Sequence, residues 1–115
     1  MGESAEQVCR RFGVAPVPCT AGEKLGISEN GRKGRVPVHG LRIPPKDGTC
    51  GWFIWADEEM SDDPKFFVPL HVEHLSSECP LVVPYLHLPP GWRFLLAPGY
   101  EDVWFDEQTL RHRES

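Results

Sequence analysis

Long apolar runs are missing from this chain: none approaches the roughly 20 residues a membrane-spanning helix needs, so a membrane-embedded protein is not expected. The opening, Met1-Gly2-Glu3-Ser4-Ala5-Glu6, is acidic and holds no apolar stretch, so it does not read as a secretory signal. Glu6 stands where a myristoylation motif carries Ser or Thr. The expectation is a cytoplasmic protein with reduced thiols. Cysteine is sparse, at 9, 19, 50 and 79, and no two form the Cys-x-x-Cys pair of zinc and redox sites. There is no Gly-x-Ser-x-Gly elbow for a serine nucleophile, and Gly31-Arg32-Lys33-Gly34 lacks the spacing of a phosphate-binding loop. Positive charge is scarce in the second half. Residues 57–115 carry four Lys/Arg against twelve Asp/Glu, a balance of −8; residues 1–56 carry eight against five, or +3, which together give the net −5. An acidic half argues against nucleic acid, whose phosphates are bound by Lys and Arg. It suits a basic protein partner, because complementary fields speed encounter and exclude wrong partners.

Proline and glycine, by contrast, are plentiful: twelve and eleven of 115 residues, spread among apolar runs. The chain therefore reads as many short elements joined by turns, one domain over 1–115 with 1–3 and 110–115 frayed. Hydrophobic residues at 40% and charged residues at 25% are ordinary for a globular domain. A chain of this length buries roughly 65% of its unfolded surface, enough to fold without staples.

Ser4 as N-cap, with Gln7 three residues on, predicts a helix over 4–12 with Val8, Cys9 and Phe12 on its apolar stripe. Thr20 predicts one helical turn through Leu25, and Glu29 to Gly34 a turn or loop around Asn30-Gly31. Val36, Val38, Leu41 and Ile43 predict a strand, with Gly40 as a bulge and Pro37 arguing for an edge position. Gly51-Trp52-Phe53-Ile54-Trp55 is the strongest strand signal. Short elements follow: a strand over 66–70, helical turns near His71–Leu75 and from Pro80, then strands over 92–97 and 100–106 joined by Pro98-Gly99. Residues 107–115 are charged and expected to fray. The order implies an α+β fold, a mainly antiparallel sheet with short helices packed on one side. Trp52 and Trp92 are the expected core tryptophans.

Two kinds of site compete. His71-Val72-Glu73-His74 matches half of a zinc-deaminase signature, but the Pro-Cys-x-x-Cys half is missing and the spacing is not that of His-Glu-x-x-His. With Cys79 it makes a possible three-ligand set, and Cys50 with His39 or His87 a conceivable thiol pair. The acidic clusters Asp57-Glu58-Glu59, Asp62-Asp63 and Glu101-Asp102, beside Trp55, Trp92, Tyr100 and Trp104, form instead a recognition surface: close carboxylates gain from a basic partner, and aromatic side chains anchor interfaces.

The stretches Gly51-Trp52-Phe53-Ile54-Trp55-Ala56-Asp57-Glu58-Glu59, Asp62-Asp63-Pro64, Cys79-Pro80-Leu81-Val82-Val83-Pro84-Tyr85-Leu86 and Pro89-Pro90-Gly91-Trp92 together resemble a bacterial family of immunity proteins of polymorphic toxin systems, the thirty-third immunity family, over roughly residues 35–107. Trp92 to Leu95 and Tyr100 to Trp104 stand where the family pattern carries a different stretch. The resemblance supplies no catalytic residue. It implies a small intracellular protein that neutralises a cognate, basic toxin domain through an acidic and aromatic surface. The residues expected there are Trp55, Asp57, Glu58, Glu59, Asp62, Asp63, Tyr100, Glu101 and Asp102, with no metal or cofactor. The alternatives are a small metal-binding or thiol-dependent enzyme built on His71, His74 and Cys79, and a housekeeping interaction domain.

Overall fold

The structure, a computed structural model, describes residues 4–20, 22–45, 48–57, 60–61, 63 and 65–111. Helix α1 (Ala5–Arg11) begins with the capping box read from sequence. The Gln7 N–H donates to Ser4 Oγ at 3.2 Å, and the Ser4 N–H to Gln7 Oε1 at 2.8 Å, which satisfies two amides that no helical carbonyl can reach. There follow β1 (Lys24–Ile27), α2 (Glu29–Arg32), β2 (Val38–Arg42), β3 (Thr49–Ala56) and β4 (Val68–His71). A 3-10 turn (Val72–His74) runs into α3 (Leu75–Glu78), then a 3-10 helix (Pro80–Tyr85), the hairpin β5 (Trp92–Ala97) and β6 (Tyr100–Phe105), and α4 (Glu107–Arg111). The strands form one sheet in the order β4-β1-β3-β2-β5-β6. Among the described residues β1 and β3 alone run parallel, and the other neighbouring pairs are antiparallel. The fold is α+β, as its sequence implies.

Five local expectations give way to the contacts the structure makes. Thr20 and Glu23 do close a turn, with the Glu23 N–H on Thr20 O at 3.0 Å, but Leu25 belongs to a strand. Ladders to β3 on one side and β4 on the other satisfy more of that backbone than a further helical turn would. Asn30-Gly31 lies inside α2, not in an open loop, because Ser28 Oγ caps the Gly31 N–H at 3.1 Å. Strand β2 is central, between β3 and β5; Pro37 precedes its first paired residue and so removes no ladder bond. Gly40 is no bulge. It pairs regularly with Ile54 and Phe94, and its bare backbone makes room for the Phe94 ring, with which a Cβ would collide. The irregular register falls instead in β1, between Lys24 and Gly26. At the far end, Asp106 accepts the Gln108 N–H at 3.0 Å and starts α4 where fraying is expected. Residues 1–3 and 112–115 lie outside the described residues.

Alternate positions of a strand face opposite sides of a sheet. Three cross-strand rows share the helix-covered side: Trp52–Arg42, Ile54–Gly40–Phe94–Val103 and Ala56–Val38–Leu96–Glu101. Val8 and Cys9 of α1, with Leu75, Cys79, Val82, Leu86 and Leu88 around α3 and the 3-10 helix, complete that core. Trp52 is fully buried 5.2 Å from Phe94, and Trp92 packs half-buried at the margin.

Inside it lies a charged side chain. Arg42 is 1% exposed, and its guanidinium donates to main-chain carbonyls from three segments. Nε reaches Cys50 O at 2.8 Å; Nη1 reaches Val17 O at 2.7 Å, Leu88 O at 2.8 Å and Leu86 O at 3.3 Å. The Trp52 indole N–H shares Leu86 O at 2.8 Å. A buried acceptor left unmade costs about 1–3 kcal/mol. Arg42→Met orphans several and should lower the urea unfolding free energy by at least ~3 kcal/mol. Arg42→Lys should recover only part of this, because one ammonium cannot span the carbonyls of a planar fork. An unchanged urea midpoint in Arg42→Met would show that these bonds hold nothing together.

Candidate protein-binding face

The opposite side of the sheet carries two further rows: Phe53–Leu41–Arg93–Trp104 and Trp55–His39–Leu95–Asp102. Strand β3 is apolar at almost every position because both of its faces are covered to some degree. What lies over this second face is the segment connecting β3 to β4. Phe67 meets Phe53 edge-on at 5.0 Å between ring centroids and Trp55 at 6.2 Å, with Phe66 at 4.8 Å behind it. A Cβ on Gly26 would come within 2.9 Å of the Phe53 ring, so the glycine lets both phenylalanines lie close to β1. Trp55, only 4% exposed, stacks on His39 at 5.1 Å with the rings 3° from parallel. Further across, Leu41, Leu95 and Trp104 are half-buried. The Arg93 guanidinium sits 5.6 Å over the Trp104 ring and pairs with Asp106 at 3.1 Å. The result is an aromatic and aliphatic floor with acidic groups at its margin.

The residues singled out from sequence distribute unevenly over this geometry. Trp55 is part of the floor. Asp57 begins the acidic loop at the end of β3, with φ at 59° and a 3.5 Å ion pair to Arg35. Asp63 is exposed, and its Oδ1 accepts the Lys65 N–H at 2.9 Å. Glu58, Glu59 and Asp62 lie outside the described residues. On β6, Asp102 shares the open side with Tyr100, which is 52% exposed, and Asp102 has no ion-pair partner among the described residues. Glu101 points the other way. It accepts Arg11 Nη2 at 2.6 Å, Arg11 Nη1 at 2.9 Å and the Tyr85 hydroxyl at 2.5 Å. Arg11 first, then the Tyr85 hydrogen bond, holds its carboxyl below the usual carboxylate range against the opposing effect of burial. Strand parity separates these neighbours; their adjacency in sequence conceals it.

Charge is partly matched within the chain. Arg11–Glu101, Arg32–Glu78 and Arg35–Asp57 each join a first-half cation to a second-half acid. The second half is therefore less negative than its sequence balance suggests, and on the rim Asp57 is the acid so matched. His39, Leu41, Phe53 and Leu95 join the face without having been singled out for it; the unbroken apolar run of β3 was the available signal that its second side packs against something.

The chemistry of the alternative site does not assemble. Among the described residues no group of three His, Cys, Asp or Glu side chains is placed to hold a metal. His71 and His74 are exposed with ring centroids 6.1 Å apart, while Cys79 is buried and its thiol pKa raised by that burial. Cys50 lies on the helix side of β3, whereas His39 lies on the open side of β2, so the sheet separates that thiol from that imidazole. No helix among the described residues is long and apolar enough to cross a membrane.

A family model described as Imm33-like domain matches residues 4–106, and the chain belongs to that family, an immunity-protein family whose members imply a protein partner. No curated protein and no solved structure matches the chain.

Burial first, then the Arg93 charge, pushes the His39 pKa down. The folded protein thus refuses a proton that the unfolded chain accepts below the ordinary histidine pKa of about 6.5. Stability should fall as pH drops from about 6.5, since the unfolded state then binds more protons. Urea midpoints between pH 7.5 and 5 should show that slope in the parent chain and a flatter one in His39→Phe, which keeps an aromatic ring against Trp55. Identical slopes would mean that His39 titrates alike in both states.

Proposed function

From its membership of the Imm33-like family we propose that this protein neutralises a toxin domain by stoichiometric contact through the open face of its sheet. The observation that carries this reading is the floor of Leu41, Leu95 and Trp104 beside Phe53, on the side of the sheet opposite the core that α1, α3 and the 3-10 helix complete. Half-buried aromatic and aliphatic side chains in a rigid sheet lose little conformational freedom on docking and exclude water from the centre of a contact. Asp102, Tyr100 and Asp57 border this floor, Asp63 is exposed on the connection after β3, and Glu58, Glu59 and Asp62 add negative charge beside them in the sequence; together they favour a partner whose matching surface is basic, such as a nuclease with a cationic cleft. Occlusion of that cleft is sufficient for inhibition, and no catalytic group on this chain takes part. In this reading Trp55, stacked on His39, extends the floor towards β3, and Glu101 braces β6 from behind while Asp102 meets the partner.

The test is co-purification of the chain with the toxic protein encoded beside it, followed by titration calorimetry. An equimolar complex is expected. Trp104→Ala and Leu41→Ala should each weaken it by about ten- to a hundredfold, the range of central anchor residues. Asp102→Lys should mainly slow association, and lose that effect at high salt. Val83→Ala, on the exposed part of the helix layer, serves as the control that leaves affinity unchanged. Unaltered affinity in both Trp104→Ala and Leu41→Ala would move the contact off this face.

A further inference from the structure

The open face continues past Phe53. Towards the start of β3, away from Asp57, a hollow of about 260 Å³ opens between Gly26, Ile43, Gly51, Phe53, Phe67 and Pro69. β1 contributes Gly26, β3 Gly51 and Phe53, and β4 Pro69, while Phe67 joins them from the connection before β4. Neither glycine accepts a side chain. A Cβ on Gly26 would stand 2.9 Å from the Phe53 ring, and one on Gly51, where φ is 93°, would stand 2.1 Å from Ile43 O. Both strands therefore present bare main chain at these two places. Lys24 and Thr49, both exposed, stand at the rim. The other side chains of the described lining are apolar.

Resting on the open-face reading above, we infer that this hollow receives one aromatic side chain of the toxin domain, the anchor that fixes how the partner lies along the sheet. Phe53 belongs to the floor and to the hollow alike, so a partner seated over Leu41 and Trp104 reaches both without a break. An apolar cavity of about 150 Å³ accommodates a benzene ring. The larger, open hollow has room for a phenyl or an indole group. Its walls suit that occupant: Phe53 and Phe67 stand edge to face at 64°, and a third ring extends the tilted packing that aromatic pairs favour. Aromatic side chains seated in pockets carry a large share of the energy of protein contacts.

The two ends of the face differ in charge. Asp102 shares its row with Trp55, which stands roughly 13 Å along β3 from Gly51. At the hollow the charged group is Lys24 instead. A partner with cations opposite Asp102 and its anchor opposite the hollow fits in this direction. Turned end for end, its cations meet Lys24. Measured along the strands, the aromatic group therefore lies roughly 13 Å from those cations.

The experiment has two arms. In the first, indole is titrated into the isotope-labelled full-length chain alone, and amide chemical shifts are followed. Saturable shifts are expected at Gly26, Gly51 and Phe53. They should vanish in Thr49→Trp, whose own ring fills the hollow from the rim. No shifts, or shifts centred elsewhere on the molecule, overturn the proposal whatever the toxin does. In the second arm, the toxic protein encoded beside the chain is added. It should displace indole from the parent chain, and Thr49→Trp should weaken the complex about ten- to a hundredfold by calorimetry. Trp104→Ala that weakens the complex while indole stays bound and Thr49→Trp binds like the parent overturns the hollow and leaves the open-face reading standing. Unaltered affinity in Trp104→Ala, Leu41→Ala and Thr49→Trp overturns both. The urea midpoint shows whether Thr49→Trp is folded, and displacement of indole, measured on the parent chain, decides the matter without it.

Discussion

One buried guanidinium settles how the two layers of this molecule are joined. Arg42 leaves the central strand β2 on the helix side and ends among carbonyls of the post-α1 link, of β3 and of the stretch after the 3-10 helix. Two of those three segments are neither helix nor sheet at the point of contact, so their buried carbonyls have few other donors. Arginine suits the position because its planar fork offers several N–H groups in fixed directions and is less strongly hydrated than an ammonium. Trp52 adds an indole N–H to the same carbonyl of Leu86 and sets its ring beside the guanidinium, 5.7 Å from the charge. Near the other margin of the sheet Glu101 does the converse. There an acceptor on β6 gathers donors from α1 and from the 3-10 helix. The helix layer, short of long helices, is thus fastened at two places by polar groups reaching out of the sheet.

This arrangement has a direct bearing on the second face. A sheet with its core and helices packed against one side must cover its other side with something or leave it for a partner. Among the described residues of the β3–β4 connection, Phe67, backed by Phe66, lies over Phe53 and Trp55, and that cover is aromatic. The remainder, across β2, β5 and β6, is a floor of mixed Leu, Trp, His and Arg. The acidic loop and the aromatic residues, separate features in the sequence, therefore become neighbours through a single chain crossing.

How much of this could be read from the residues follows the range of the signal. Capping and turn chemistry are local, and Ser4 with Gln7, Pro98-Gly99 and the aromatic run of β3 all declared themselves. The β1 segment did not: it is four residues long, preceded by a genuine turn at Thr20–Glu23, and becomes a strand only because β3 and β4 flank it. The parallel pairing of β1 with β3 has no local mark at all. Pro37 was legible as a proline that avoids a ladder, but its place just outside β2 made a central strand possible where an edge was expected. Among the acidic residues, composition revealed the excess of negative charge and not its pairing. That Arg11 would find Glu101, ninety residues on, depends on α1 packing against the 3-10 helix, whose Tyr85 reaches the same carboxylate. The family pattern was legible because it consists of turns and aromatics fixed in sequence, whereas the face it builds depends on register.

The two border strands of the sheet have a consequence of their own. β4 is four residues long and contains Pro69, while β6 carries Glu101 and Asp102 side by side at its middle. A proline cannot donate to an added strand, and two copies of β6 laid edge to edge would bring carboxylates together. Each border thus resists growth by one more strand, and the sheet carries its own brake on polymerisation even while one of its flat sides stays apolar.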